Sequence, residues 1–266
     1  MDKVVKRVKI GVSNCKMKSN NGTLSLLLLL CFFISLDSAF KPQLYSSGGS
    51  ICQMFQETRS YYLDLIAYII SELASLLTPI WGCFIMYERN LHAGIKCVGV
   101  FCWVRYGISI LKILYSEPRP FWMYSWVSAV DCSEGFGNPA GHALLTGILW
   151  PYYYAHTFYS DQYYAKKSLL LFGILMIGID RVYSGVHFYS QILLGWIYAI
   201  SVLMLLFSNS IALEQMVQNL NTSYIKMLIL LGVSIVGISI GLILPLIRFP
   251  YWDDDWTDRY EDVTYN

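Results

Sequence analysis

Charge is scarce in this chain. Asp, Glu, Lys and Arg make up only 14% of its 266 residues, whereas 56% are hydrophobic and 16% are aromatic. A soluble core does not need that much apolar surface, so the composition argues against a soluble domain. The net charge is +1, so no overall basic field recruits nucleic acid, and we expect no nucleic-acid partner.

Metal-binding and nucleotide-binding patterns are missing as well. The chain has only four histidines, and no Asp/Glu/His cluster suited to a metal is visible, so we expect neither a metal nor another cofactor. Gly135, Gly137 and Gly141 lie close together, but no strand is predicted before them and Pro139 removes one amide donor. The span pattern does not repeat, which disfavours a transporter.

Long apolar runs, in contrast, are abundant. A helix needs roughly 20 apolar residues to cross the hydrocarbon of a bilayer. Runs that reach or can be extended to this length occur at 61–87, 91–115, 140–159, 167–183, 187–207 and 225–247. We therefore predict an all-α fold, a polytopic membrane helical bundle with a six-helix core, and a lipid bilayer as its surroundings.

A shorter apolar run, Leu24 to Leu36, follows a basic N-terminal head. It fits either a cleaved signal sequence or a signal anchor, and the residues leave both open. The predicted division is a basic head with this segment (1–39), a membrane domain (40–247) and an acidic C-terminal tail (248–266).

The distribution of Lys and Arg predicts the orientation. The basic head indicates a cytosolic N-terminus, and alternation of the spans then places loops 116–139 and 184–186 on the lumenal or extracellular side. The membrane could be that of the endoplasmic reticulum, another secretory compartment or the cell surface. Cys52 and Cys132 fall in predicted loops on the same oxidising side, where they form either a disulfide or two free thiols.

The first two of three polar segments lie at 112–120 and 139–142. Lys112 and Arg119 are held in a stretch stiffened by two prolines, although both could also be ordinary cations at the membrane interface. His142 follows Pro139 at the predicted start of a span, where backbone amides can face an anion. Alone, this histidine could equally be structural.

In the third segment, 181–191, Asp180 and Arg181 end one span and His187 begins the next. A membrane arginine needs an anionic partner. Asp180 is one candidate, but neighbouring helix residues point about 100° apart. We therefore predict that a bound phosphate is the better partner of Arg181.

Together the segments resemble the signature of the type 2 phosphatidic acid phosphatase superfamily of membrane phosphatases. This group includes lipid phosphate phosphatases and glucose-6-phosphatase, and the resemblance covers roughly residues 60 to 207. The residues that carry it are Lys112, Arg119, Pro120, Pro139, Gly141, His142, Arg181 and His187.

The resemblance implies the roles of these residues. His187 is the nucleophile that takes the phosphoryl group, and His142 protonates the departing alcohol and then activates water. Lys112, Arg119, Arg181 and Gly141 bind the substrate phosphate, with Pro139, Ala140, Asp180 and Gln191 in supporting positions. The implied substrate is a lipid phosphate or a sugar phosphate, and the chemistry uses no metal.

Three positions depart from the usual pattern of that family. Ala140 and Asp180 stand where the family usually has serine, and both changes weaken phosphate binding. Gln191 resembles the glucose-6-phosphatase pattern, whereas most lipid phosphatases of the family carry an acid there. We predict an active phosphatase, with a catalytically impaired relative that binds lipid or acts as a scaffold as the alternative. The sequence indicates no particular protein partner.

Overall fold

The computed structural model describes residues 21–74, 91–130, 135–157 and 164–211, with isolated positions at 80, 82, 84, 87, 88 and 215. Within these ranges the chain is helical and contains no strand, which confirms the all-α prediction. The helices are α1 (Asn21–Ala39), α2 (Lys41–Glu57), α3 (Tyr61–Glu72), α4 (Leu91–Tyr115), α5 (Pro120–Met123), α6 (Gly141–Thr157), α7 (Tyr164–Tyr183) and α8 (Tyr189–Ser208).

Two segments among the described residues are long and apolar enough to cross a membrane, Lys96–Met123 and Tyr189–Ser208. Leu24–Ala39 and Lys41–Glu57 meet at 75° and would add a third span if the bent pair is counted as one. Helices α4, α6, α7 and α8 occupy the predicted spans at 91–115, 140–159, 167–183 and 187–207. Of these four, α4 and α8 contribute the segments that are long and apolar enough to cross a membrane. The predicted span 225–247, the head before residue 21 and the acidic tail lie outside the described residues.

Helix α2 corrects one prediction, because Cys52 was predicted to lie in a loop and lies within this helix instead. Pro42 lies in the first turn of this helix, where its fixed φ is favourable and its missing amide hydrogen costs nothing. The helix contains many polar residues and two glycines, so a search for apolar runs does not detect it. Ser60 then caps α3 by accepting a hydrogen bond from the Leu63 amide at 3.4 Å.

Small residues allow α6 and α8 to pack closely. A methyl group built on Gly147 would lie 2.8 Å from the Ala199 Cβ, and one built on Gly195 would lie 3.0 Å from the Ala140 carbonyl oxygen. Close backbone approach of this kind is a common way for membrane helices to associate. The adjoining core is apolar and joins α4, α6 and α8 through Cys97, Val100, Val104, Ile108, Leu144, Leu145, Ile148, Leu149, Tyr152 and Ala199.

A second apolar core lies beneath the loops that carry the polar segments. It brings α2, α5, α6, α7 and α8 together through Cys52, Phe121, Trp122, Val127, Phe136, Ala140, Ala143, Val182, Val186 and Ile192. Cys52 is a buried free thiol in this core. Its predicted alternative partner, Cys132, lies in 131–134, outside the described residues.

Candidate active site

The predicted site residues converge at one end of this bundle. His187 lies in the turn between α7 and α8, and its Nε2 is 3.5 Å from Nη1 of Arg119. Gly141 packs against the Lys112 side chain, since a methyl group built on it would lie 3.8 Å from Lys112 Cε. His142 and the cations Arg119, Lys112 and Arg181 all act electrostatically on the His187 ring. The three segments thus form a single site.

A sharp turn presents His187. Helix α7 ends at Tyr183, and Gly185 follows with φ +71°, a left-handed conformation that favours glycine. A side chain at Gly185 would also meet Val127 Cγ1 at 2.8 Å and the Ser128 carbonyl at 3.0 Å. The turn is therefore seated tightly on the loop after α5, and His187 is only 1% exposed.

Two hydrogen bonds fix the orientation of the Gln191 side-chain amide. Its Nε2 donates to the Pro118 carbonyl at 2.9 Å, and its Oε1 accepts from the Phe188 amide at 3.2 Å. Pro118 oxygen can only accept and the Phe188 amide can only donate, so the two ends of the carboxamide cannot be exchanged. The Oε1 atom is therefore the end that faces His187.

This arrangement determines which nitrogen of His187 carries the proton. Nδ1 lies 3.3 Å from Gln191 Oε1, so Nδ1–H donates to that oxygen. Nε2 is then the nitrogen with the free electron pair, and it is the one that faces Arg119. In this turn outside the helices, burial and the Arg119 guanidinium lower the pKa of His187 well below its ordinary value, which keeps the ring neutral.

Arg119 has a structural role that sequence reasoning did not predict. Its Nε donates to the Gly135 carbonyl at 2.7 Å, Nη1 to the Val186 carbonyl at 3.0 Å and Nη2 to the Phe136 carbonyl at 3.4 Å. The guanidinium is 1% exposed. One side chain thus connects the loop before His142 to the turn that carries His187, while staying beside Nε2 of His187.

Lys112 and His142 contribute side chains that are free to act on a substrate. Neither the ammonium group nor the imidazole ring has a hydrogen-bond or ion-pair partner within the described ranges. Both are partly buried near the membrane-spanning part of the bundle. A cation in such surroundings is stabilised by a counter-ion, so Lys112 is poised to hold an anion.

Arg181 is different, because the alternative partner, Asp180, is in contact with it. Its Nε and Nη2 donate to Oδ2 of Asp180 at 3.0 and 2.6 Å, and both side chains are almost fully buried. The angle between neighbouring helix positions was expected to prevent this contact. The arginine side chain is long enough to fold back to its neighbour, and a buried guanidinium without a counter-charge would be costly.

Residues from the N-terminal helices also reach the site, and the three segments gave no signal for them. Lys41 of α2 forms an ion pair of 2.5 Å with Glu117, two residues before Arg119. Arg59 donates to the Ser128 carbonyl at 2.7 Å. These contacts fix the loops on either side of α5 from outside, so the site depends on α2 as well as on the helices that the segments belong to.

Comparisons with known proteins agree with this geometry. The fold is that of a helical membrane protein, and its predicted histidines and cations converge at one end of the bundle. Residues 93–214 match the family model of the PAP2 superfamily, the type 2 phosphatidic acid phosphatase group. The match shows what this segment is similar to, and it covers a little under half of the 266 residues.

A solved structure supports the fold independently. The chain is similar to the crystal structure of a transmembrane PAP2 type phosphatidylglycerolphosphate phosphatase from Bacillus subtilis, with 20% sequence identity and a TM-score of 0.56. The match covers 69% of this chain and 92% of the other. None of the curated proteins matches the sequence.

Proposed function

We propose that the protein is a membrane phosphomonoesterase that transfers the phosphoryl group of a lipid phosphate to His187 and then to water. The observation that carries the proposal is the fixed tautomer of His187, whose Nδ1–H is held by Gln191 while Nε2 faces Arg119. A neutral imidazole with one free nitrogen beside a cluster of cations is suited to attack phosphorus.

Both steps of the reaction can be assigned to groups in the site. In the first, Nε2 of His187 forms a bond to phosphorus, the P–O bond of the ester breaks, and His142 gives its proton to the departing alkoxide. In the second, His142 takes a proton from water, whose oxygen attacks phosphorus, and the P–N bond breaks to release phosphate. Lys112, Arg119 and Arg181 offset the charge on the phosphoryl oxygens.

A lipid is the substrate that best suits the surroundings of the site. The helices that supply Lys112 and Gln191 expose large apolar side chains on their outer faces, including Trp103, Leu114 and Leu193. An amphipathic phosphate ester can remain in the bilayer while its head reaches the end of the bundle. A sugar phosphate is the second candidate because of Gln191, which resembles the glucose-6-phosphatase pattern.

The proposed location is a membrane of the secretory pathway or the cell surface, with the site on the lumenal or extracellular side. The positions of Lys and Arg along the sequence support this orientation.

The proposed reaction uses no metal, because the cations that offset phosphate charge are side chains of the chain itself.

Release of inorganic phosphate by the full chain in lipid nanodiscs tests the proposal. The panel is phosphatidate, a sphingoid-base phosphate, phosphatidylglycerolphosphate, a polyprenyl diphosphate and glucose-6-phosphate, each with and without EDTA. We expect hydrolysis of a lipid monophosphate that EDTA does not abolish and that is lost in His187→Ala and His142→Ala. If neither the wild type nor either variant releases phosphate from any substrate of the panel, the proposal is wrong. The alternative is then a catalytically impaired relative that binds lipid or acts as a scaffold.

A further inference from the structure

Asn138 is a buried polar residue to which neither the family pattern nor the mechanism above gives a role. It is 0% exposed, and neither its Nδ2 nor its Oδ1 has a hydrogen-bond partner within the described part of the chain. Among the described side chains it is the one amide in which both polar atoms are buried and lack a partner. Buried polar groups are nearly always paired, so this carboxamide requires an explanation.

The backbone around Asn138 is held by hydrogen bonds to Glu117 and Gln191. The Gly137 amide donates to the Glu117 carbonyl at 2.8 Å, and the Ala140 amide donates to the Gln191 carbonyl at 3.1 Å. A side chain at Gly137 would meet Gln191 Nε2 at 2.6 Å. Asn138 thus lies in a loop that wraps around Gln191, between the segment held by Arg119 and the start of α6.

A phosphoryl group can satisfy the carboxamide that the protein leaves unpaired. The oxygens of a phosphate ester dianion only accept hydrogen bonds, and Nδ2 of asparagine supplies two N–H donors. Ala140, in the same loop, has no hydroxyl to offer. An unpaired donor that is already desolvated loses little on binding an anion, so the interaction is favourable.

We propose that Asn138 is a further ligand of the substrate phosphate, with Nδ2 donating to a phosphoryl oxygen. This inference rests on the proposed function, because it places the substrate phosphate in the site formed by His187, His142 and the cations. Asn138, next to Pro139, would thus add a neutral hydrogen-bond donor to the charged side chains that bind the phosphate.

Orthovanadate binding to the full chain in nanodiscs tests this assignment. Asn138→Ala removes the donor, and Asn138→Asp keeps the shape but replaces the donor with a negative acceptor. We expect the dissociation constant to rise by about ten- to a hundred-fold in the alanine variant and by more in the aspartate variant. The midpoint of thermal unfolding without anion should stay unchanged or rise in Asn138→Ala, because no hydrogen bond within the protein is lost.

The same two substitutions at Asn209 are the control. Asn209 is exposed at the end of α8 and donates to the Leu205 carbonyl at 2.8 Å. Its variants should bind orthovanadate like the wild type.

Unchanged orthovanadate affinity in Asn138→Ala or in Asn138→Asp would overturn the assignment. Failure of both variants to fold would also overturn it, because a structural role would then be demonstrated. Binding and hydrolysis separate the two proposals. A wild type that binds orthovanadate but hydrolyses no substrate contradicts the proposed function and still tests Asn138, whereas a wild type that does not bind orthovanadate contradicts both.

Discussion

The carboxylate of Asp180 partly neutralises the charge of Arg181. The two side chains form a buried ion pair of 2.6 Å, so a phosphate that binds Arg181 must share this cation with a carboxylate. The pair also explains how the chain keeps a guanidinium that is 0% exposed. The carboxylate weakens attraction of a phosphate and stabilises the empty protein at the same time.

We therefore predict opposite effects of Asp180→Asn on binding and on stability. Affinity for inorganic phosphate should rise about tenfold, because a repelling charge is removed. The free energy of unfolding without anion should fall by about 3 kcal/mol, because Arg181 loses its counter-charge. Titration with phosphate and denaturant unfolding measure the two quantities.

Asp64→Asn provides the comparison for this variant. Asp64 pairs with Arg59 at 2.9 Å, but both side chains are partly exposed. The Asp64→Asn variant should lose only about 1 kcal/mol or less of its free energy of unfolding. Its affinity for phosphate should be unchanged. Weaker phosphate binding by Asp180→Asn would mean that the carboxylate mainly positions Arg181.

In the proposed mechanism, Gln191 acts through its hydrogen bond with His187. Gln191→Leu removes the acceptor for His187 Nδ1 and leaves the Phe188 amide and Pro118 carbonyl unpaired. We predict that kcat for the best substrate of the panel falls by about ten- to a hundred-fold, with a much smaller change in KM. Gln43→Leu, at an exposed position of α2, is the matched control and should keep full activity. Equal losses in the two variants would remove Gln191 from the mechanism.

At the scale of elements, α2 contributes to the site through close packing. A methyl group built on Gly48 would lie 2.7 Å from Phe188 Cδ1, and Phe188 is fully buried beside His187. We predict that Gly48→Ala displaces this ring, lowers the free energy of unfolding by about 1–3 kcal/mol and reduces kcat. Denaturant unfolding and phosphate release measure both effects.

Gly99→Ala in α4 is the control for that substitution. A methyl group built there meets nothing within 4 Å, so alanine should stabilise the helix by about 0.5–1 kcal/mol. If Gly48→Ala behaves like Gly99→Ala, α2 does not position the turn that carries His187.

The sequence predicted those helices that are formed by long runs of apolar residues. Helices α4, α6, α7 and α8 follow from runs of apolar residues, since hydrocarbon selects for such runs. Helix α2 does not follow, because its stability comes from contacts such as Gly48 with Phe188 and Lys41 with Glu117. These partners are distant in sequence, so local composition carries no signal for them.

The site, too, has features that could be predicted from the sequence and features that could not. Spacing and resemblance identified the histidines and cations that come together, because the proposed reaction needs those groups. The Asp180–Arg181 pair and the backbone contacts of Arg119 depend on side-chain conformations, which spacing does not determine. Asn138 is visible in the sequence, but its significance appears only once its burial without a partner is known.

At the scale of the whole molecule, the orientation is open to a direct test. Trp126 is 46% exposed in the loop after α5, and Lys167 is exposed at the start of α7, near the opposite end. We predict that a membrane-impermeant maleimide labels Trp126→Cys in intact cells and labels Lys167→Cys only after permeabilisation. A chain in which all seven native cysteines are replaced provides the background. The reverse labelling pattern would contradict the proposed topology.

The central claim is that His187 carries the phosphoryl group, and trapping that intermediate tests it most directly. Rapid acid-free quenching of the chain with a ³²P-labelled substrate of the panel should yield a phosphoenzyme that is labile in acid and stable in base. We predict that the label resides on His187, persists longer in His142→Ala if that variant still forms it, and is absent in His187→Ala. Label on another residue, or phosphate release by His187→Ala at the wild-type rate, would contradict the account.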